Sequence, residues 1–164
     1  MTKTLYITRH GKSSWDFEGI ADIDRPLSIR GVNNAYLMAE RLKAKGLMPE
    51  LLLSSPAIRA LHTAEIFIRT LGIDWNSLEI NDKLYFGYTN EILEAILHLD
   101  KRYSSVMIFG HNPAFTELAN TFLLSPVDNI PTAGMITLVF PVNKWTELRD
   151  TKPQSEDFDY PKKQ

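Results

Sequence analysis

A chain of 164 residues, 44% of them hydrophobic, has the length of one domain and the apolar content for one sizeable core. Its 18 Lys and Arg stand against 20 Asp and Glu, a formal charge of −2, which excludes a broad cationic surface for nucleic acid or for an acidic membrane. With no cysteine and no apolar run of bilayer length, disulfides, thiolate metal ligands, a cysteine nucleophile and a spanning helix are excluded as well.

Met1-Thr2-Lys3 leads directly into the apolar, β-prone run Leu5 to Thr8 with no signal-peptide core, so a cytoplasmic protein is expected, with monomer as the default. That first strand ends in Arg9-His10-Gly11, where the glycine permits close backbone approach and His10 can stand at the rim of a sheet. Ser13 to Asp24 forms a long loop carrying Trp15, Asp16, Glu18, Asp22 and Asp24, a length that in compact domains often serves function. Ser28 is the expected cap of a helix with Ala35, Met38, Ala39 and Leu42 on its inner face and Gly46 as its stop.

Leu51-Leu52-Leu53 reads as a strand buried on both faces, running into Ser54-Ser55-Pro56, where Ser55 caps a second helix and Pro56 takes its first position. Ala57, Leu61, Ala64, Ile68 and Leu71 form that helix's stripe, and Gly72 ends it. Arg59 falls in the first turn, off the stripe, where a guanidinium adds to the free N–H groups of a helix start and suits an anion; an ordinary exposed arginine is the competing reading. Leu78 to Ile80 is a weaker strand, Leu84 to Tyr88 reads as loop, and Asn90 opens a helix reaching toward Arg102. Ser105 to Phe109 is another strand, ending in Gly110-His111-Asn112-Pro113 ahead of a helix with Phe115, Leu118, Ala119 and Phe122 inward. His111 there either serves a site or is satisfied by a backbone carbonyl. After the turn Pro131 to Gly134, Met135 to Phe140 is a strand, and Lys144 to Arg149 is expected to pair back as an antiparallel edge. The domain is expected over 1–149, with a polar, loosely ordered tail over 150–164.

Alternating strands and helices imply a single three-layer α/β/α domain with a mostly parallel central sheet, whose strand C-termini share one edge. Arg9, His10, Arg59 and His111 converge there, and two arginines beside a helix start suit a phosphate dianion. A neutral His10 could attack phosphorus and carry the phosphoryl group covalently, and the neighbouring arginines disfavour its protonated form. His111, cationic with substrate bound, could stabilise the equatorial oxygens. No spaced His/Asp/Glu cluster suggests a metal, so no cofactor is expected.

Arg9-His10-Gly11, the run Ser54-Ser55-Pro56-x-x-Arg59-Ala60-x-x-Thr63-Ala64 and Gly110-His111-Asn112 together resemble the histidine phosphatase superfamily, which includes phosphoglycerate mutases and acid phosphatases. Within it, Arg9 to Trp15 and Asp24-Arg25-Pro26-Leu27-x-x-Arg30-Gly31 look like the SixA branch of phosphohistidine phosphatases, over roughly residues 4 to 141. The resemblance implies that His10 is the phosphorylated nucleophile, that Arg9, Arg59 and His111 complete the phosphate pocket, and that the fold is phosphoglycerate mutase-like. Larger members carry a glutamate as proton donor where this chain has Tyr85-Phe86-Gly87, and SixA-like members lack it too. Asp22 is the acid expected here, with Asp24 second. Ser13 and Ser14 are expected to donate to the phosphate, and the turn at Thr132-Ala133 to add backbone N–H groups. The expected activity is hydrolysis of phosphohistidine on a protein. A small-molecule or sugar phosphomonoesterase and a non-catalytic phosphate-binding module are the alternatives.

Overall fold

The side chains of the first strand, β1 (Lys3–Arg9), split by parity, Leu5 and Ile7 entering one apolar cluster and Tyr6 another. A computed structural model describes residues 1–163, and in it β1 lies inside a six-stranded sheet. β2 (Leu51–Ser54), β3 (Leu78–Ile80) and β4 (Ser105–Gly110) run parallel with it, in the order β3-β2-β4-β1-β5-β6. β5 (Met135–Phe140) is antiparallel to β1, and β6 (Ser155–Asp159) is antiparallel to β5.

The helices α1 (Ile29–Ala44) and α2 (Ile58–Leu71) cover the face that carries Tyr6, Leu52, Met107 and Phe109. The short α3 (Lys83–Phe86), α4 (Thr89–Leu97) and α5 (Ala114–Phe122) cover the face that carries Leu5, Leu53 and Ile108. The fold is therefore a single three-layer α/β domain around a mixed, mostly parallel sheet. Each fully buried Leu, Ile or Phe contributes about 1.5–3 kcal/mol, so the central strands form a stiff platform. No helix among the described residues is long and apolar enough to cross a membrane.

Register decides where the platform ends. Arg9 pairs with Gly110, and Ser54 with Phe109, so β1, β4 and β2 stop level with one another. The His10 N–H then donates to the Gly110 carbonyl (3.1 Å) and the Ser55 N–H to that of Phe109 (3.0 Å), which carries the alignment one residue past the sheet.

Ser28 caps α1 as its sequence suggests, its Oγ accepting from the Gly31 N–H (3.0 Å). The starts of α2 and α5 fall one or two residues later than the Ser-Pro and Asn-Pro signals imply. Ser55 Oγ instead accepts from the Ala57 N–H, and Asn112 Oδ1 from the Thr116 N–H. Leu84 to Tyr88, expected as loop, holds the last three residues of α3, and the next helix stops at Leu97, short of Arg102.

Two expectations for the C-terminal region need correction. Lys144 to Arg149 is not an edge strand: Trp145–Asp150 is a 3₁₀ turn whose Trp145 and Leu148, three apart, are both buried in the core. The tail over 150–164 is not loose throughout, because Ser155–Asp159 pairs along β5 as β6. Arg41 fastens the end of that strand by donating to Asp159 Oδ1 (2.9 Å) and the Tyr160 carbonyl (2.8 Å). Gln164, the last residue of that expected tail, lies outside the described residues.

Candidate active site

His10 leaves β1 at the level edge and is only 7% exposed. Its Nδ1 lies 2.6 Å from the Gly11 carbonyl oxygen, an acceptor, so Nδ1 carries the proton and the Nε2 lone pair is free. Gly11 is required for steric reasons, since a Cβ there would sit 2.8 Å from the Gly31 carbonyl oxygen; one on Gly31 would sit 2.1 Å from that of Lys12. Two glycines thus let the histidine loop lie against the first turn of α1. Thr63 of α2 fixes the loop from below, its Oγ1 accepting from the Gly11 N–H (3.0 Å) and donating to the Arg59 carbonyl (2.7 Å).

Arg59, in the first turn of α2, is buried, 6% exposed, rather than presented to solvent. Its Nη1 donates to the Asp22 carbonyl (2.7 Å) and its Nη2 to Asp22 Oδ2 (3.0 Å), while Nη2 also lies 3.5 Å from His111 Nδ1. His111 comes directly after β4, its ring centroid 5.0 Å from that of His10 and its Nε2 2.8 Å from Ser55 Oγ. Arg9 Nη1 donates to the Ile130 carbonyl (2.9 Å). Arg9, His10, Arg59 and His111, from three separate strand ends, therefore line one cleft of about 270 Å³, together with Lys12, Ser13, Trp15, Arg25, Asn112 and Thr132.

Burial, joined by the charges of Arg59, Arg9 and Arg25, pushes the His10 pKa down to about 4, against an opposing pull from the Gly11 carbonyl. His111 is pushed to about 3 by burial first, then by His10 and Arg59. Both rings are therefore neutral at pH 7. Three of the four buried polar side-chain atoms that lack a partner among the described residues are guanidinium nitrogens at this cleft: Arg9 Nε, Arg25 Nη1 and Arg59 Nε. Concentrated positive charge, unspent donors and a neutral nucleophilic nitrogen are suited to a tetrahedral dianion.

The family model for the histidine phosphatase superfamily, branch 1, matches residues 5–87, just over half of the chain. The chain belongs to that superfamily. An uncharacterised protein of Picosynechococcus sp. is 44% identical over 143 residues, covering 82% of this chain and 83% of its own. An uncharacterised chloroplastic protein of Arabidopsis thaliana is 31% identical over 128 residues, 73% of this chain, which spans only 59% of that longer relative. Among solved structures, a chain from Agrobacterium tumefaciens provisionally described as the phosphohistidine phosphatase SixA superposes with a TM-score of 0.79 at 26% identity, over 97% of this chain and 98% of that one. The fold of this histidine phosphatase superfamily member is phosphoglycerate mutase-like.

The remaining expected site residues are placed unequally. Asp22, in a 3₁₀ turn (Asp22–Asp24) of the loop after β1, is joined to Arg59 through both its carbonyl and its carboxylate, while Asp24 stays exposed. Asp22 Oδ2 also accepts from the Tyr85 hydroxyl (2.7 Å), and Oδ1 from Arg25 Nε (3.2 Å). The Tyr85 hydrogen bond is the largest cause that takes the Asp22 carboxyl down to about 2, with Arg59 and Arg25 adding to it against partial burial. Ser13 and Thr132 line the cleft, but Ser14 is buried beside it with its Oγ accepting from the Asp16 N–H. The Ala133 N–H is spent on the His10 carbonyl (2.9 Å), and that contact helps hold Ala133 at φ +62, the one non-glycine residue with positive φ among those described.

Sequence reasoning passed over two residues of this superfamily member. Arg25 enters the cleft because a bridge between Ser13 and Leu27 folds the long loop back on itself, stacking its guanidinium 3.7 Å over the Trp15 ring. Tyr85 stands edge-on to His111, ring centroids 5.2 Å apart. Arg25 belongs to the Asp24-Arg25-Pro26-Leu27 segment, so a signal for it existed; Tyr85 had none beyond its position in the glutamate slot. Among the described residues, no group of three or more His, Asp or Glu side chains is arranged to hold a metal ion.

Proposed function

We propose that this chain is a phosphatase that works through phosphorylated His10 without a metal, and that its substrate is phosphohistidine on a protein. The observation that carries the reading is a buried, neutral His10 whose Nε2 lone pair faces a cleft lined by three arginines with unspent N–H groups.

In the first half-reaction Nε2 attacks phosphorus, the P–Nε2 bond forms, and the bond to the leaving group breaks with its electron pair on the departing atom. Arg9, Arg59 and Arg25 supply the positive charge that holds the phosphoryl oxygens, with Ser13 and Thr132 at the rim. The arriving dianion favours protonated His111 and turns it into a further donor toward the equatorial oxygens. Because Nδ1 keeps its proton on the Gly11 carbonyl, phosphorylated His10 is an imidazolium, which leaves readily when water attacks phosphorus in the second half-reaction. Water's proton passes through Asp22, the carboxylate beside the cluster, to solvent, which restores the carboxylate; inorganic phosphate departs, and neutral His10 returns. Asp22 is also the group assigned to protonate a leaving group that requires it.

Two features support a protein-borne substrate. The cleft, about 270 Å³ and open to solvent, has room for a phosphoryl group presented by something larger. Its lining includes exposed Trp15, and exposed Phe86 packs against Tyr85, the partner of Asp22. The test is incubation with a phosphohistidine-bearing protein and with para-nitrophenyl phosphate, and then trapping of acid-labile, base-stable phosphate on the enzyme. The expected result is turnover of the phosphoprotein with label on His10, absent from His10→Ala. Release from the ester alone would make this a small-molecule phosphomonoesterase, and phosphate binding without release from either would make it a sensor.

A further inference from the structure

Asp22 is a carboxylate beside the cleft whose side chain is 54% exposed and whose side-chain partners among the described residues are all donors. Asp22 Oδ2 receives the Tyr85 hydroxyl at 2.7 Å and Arg59 Nη2 at 3.0 Å, and Oδ1 receives Arg25 Nε at 3.2 Å. Each of these donors favours the carboxylate over the acid form without closing the water-facing side to a proton, and only Tyr85 among the three is neutral. Tyr85 is held for this contact by Phe86, packed edge-on at 4.7 Å, and by the edge of His111 at 5.2 Å.

We propose, resting on the phosphatase reading above, that Tyr85 sets the leaving-group preference of the site: its hydroxyl keeps Asp22 an acceptor, so substrates whose leaving group must be handed a proton are disfavoured. Tyr85 acts through Asp22 and is a positioning residue. The chemistry separates two substrate classes. When the P–O bond of an alkyl phosphate breaks, the alkoxide must take a proton, which Asp22 can give only in its acid form. When the P–N bond of a phosphoimidazolium breaks, the electron pair returns to the ring nitrogen and neutral imidazole departs, its other nitrogen already protonated. The second path needs nothing from Asp22 in that step and uses the carboxylate only afterwards, when water gives up its proton.

The groups that face Asp22 all act in the same sense or are neutral. Arg59 comes from α2, Arg25 from the same loop, Tyr85 from α3, and His111, beside both Arg59 and Tyr85, is uncharged at pH 7; Asp24 of the same turn is directed to solvent. Tyr85 is the one whose removal leaves the phosphate-binding charge in place, and the lowered Asp22 pKa, with Tyr85 as its first cause, agrees with the geometry.

The experiment compares the parent, Tyr85→Phe, Asp22→Asn and the double variant on an alkyl phosphate and on phosphoramidate, a small P–N substrate, across pH 4.5–8. Phenylalanine keeps the ring contacts with His111 and Phe86. Tyr85→Phe is expected to raise the ratio of ester to phosphoramidate kcat/KM by about tenfold at pH 5, with a smaller rise at pH 7.5, since general acid catalysis typically contributes 10²–10⁴-fold when the acid form is populated. Adding Asp22→Asn should abolish that gain. The Asp22 carboxyl titration, monitored by NMR, should move upward in Tyr85→Phe, a readout that does not depend on turnover. An unchanged ratio, a gain that survives loss of Asp22, or an unmoved titration would overturn the proposal. Failure of the phosphatase reading would look different, with neither substrate cleaved by the parent and no label on His10.

Discussion

β1 carries a cation at each end, buried at Lys3 and half-buried at Arg9, and the two are treated in opposite ways. Lys3, at the start, is 1% exposed; its Nζ donates to the carbonyls of Lys101 and Tyr103 and lies 5.7 Å over the Trp145 ring. The ammonium is provided for by groups that belong to the fold. Arg9, at the other end, finds one carbonyl and keeps Nε unspent, and Arg59 and Arg25 beside it also keep one nitrogen each without a partner. A buried donor left without a partner costs about 1–3 kcal/mol, so three in one cleft are a standing expense of the fold. Burial alone does not distinguish a structural cation from a functional one; the balance of donors against acceptors does. If that comparison is right, perturbations at the two ends of β1 should separate stability from turnover.

The largest separation is expected at Arg59. Arg59→Ala removes a guanidinium from the proposed phosphate position and should lower kcat/KM by about 10²–10³-fold, the range for loss of one preorganised donor. Inorganic phosphate should raise the Tm of the parent by mass action and do so far less in the variant, as read by scanning calorimetry. A variant that still gains as much Tm from phosphate would mean that Arg59 serves the fold, as Lys3 does.

The pH dependence of stability is set by the two histidines at the same end. Folded His10 titrates at about 4 and His111 at about 3, against about 6.5 in the unfolded chain. Below pH 6.5 the unfolded chain binds protons that the folded one refuses. The stabilisation from the neutral rings is therefore fully present above pH 6.5 and is lost as pH falls toward 4, on the order of 3 kcal/mol for His10. Urea unfolding at pH 7.5 and pH 5 should show the loss, and His10→Gln should reduce it. Because His10 stays neutral, its nucleophilicity should persist at pH 5, where free imidazole is mostly protonated.

At the other end of the strand, Lys3→Met keeps the apolar stem and removes the ammonium, leaving the Lys101 and Tyr103 carbonyls short of a donor; Trp145 Nε1 still donates to the latter at 3.0 Å. A loss of about 1–3 kcal/mol in unfolding free energy is expected, with kcat/KM kept. Loss of activity in the folded variant would break the comparison.

The parts of this molecule that were legible in the sequence are those where local signals and burial agree. Leu51-Leu52-Leu53 could hardly be anything but a central strand, and Ala35, Met38, Ala39 and Leu42 sit on the buried side of α1 as their spacing requires. His10, Arg59 and His111 were readable because each lies just past an apolar strand or opens a helix, and a parallel sheet brings such points to one edge. Arg25, although it stands in the Asp24-Arg25-Pro26-Leu27 segment, and Tyr85 were not placed at the site, because loop closure brings them in: a bridge between Ser13 and Leu27 in one case, a short turn of helix in the other. β6 was hidden for another reason. Ser155-Glu156-Asp157-Phe158-Asp159 has no apolar alternation, and the strand exists through backbone pairing with β5 and through the Arg41 contacts at its end.

Those contacts give the mildest test, and they extend the contrast to a cation that staples rather than fills. Arg41 donates to Asp159 Oδ1 and to the carbonyls of Tyr160, Pro161 and Lys163, a fan of acceptors that suits a planar guanidinium and not an ammonium. With the side chain 29% exposed, water compensates part of the loss, so Arg41→Ala should reduce global stability by only about 1 kcal/mol. The effect should be local: amide exchange in 155–159 should accelerate while that of β1 and β4 does not, because the edge strand contributes few buried side chains. Arg41→Lys should behave like the alanine variant, since one ammonium cannot span the fan. Hydrolysis should be unaffected in both, because neither β6 nor Arg41 supplies a residue to the cleft. Accelerated exchange spreading into β1 would instead show that the antiparallel half braces the strand on which His10 is mounted.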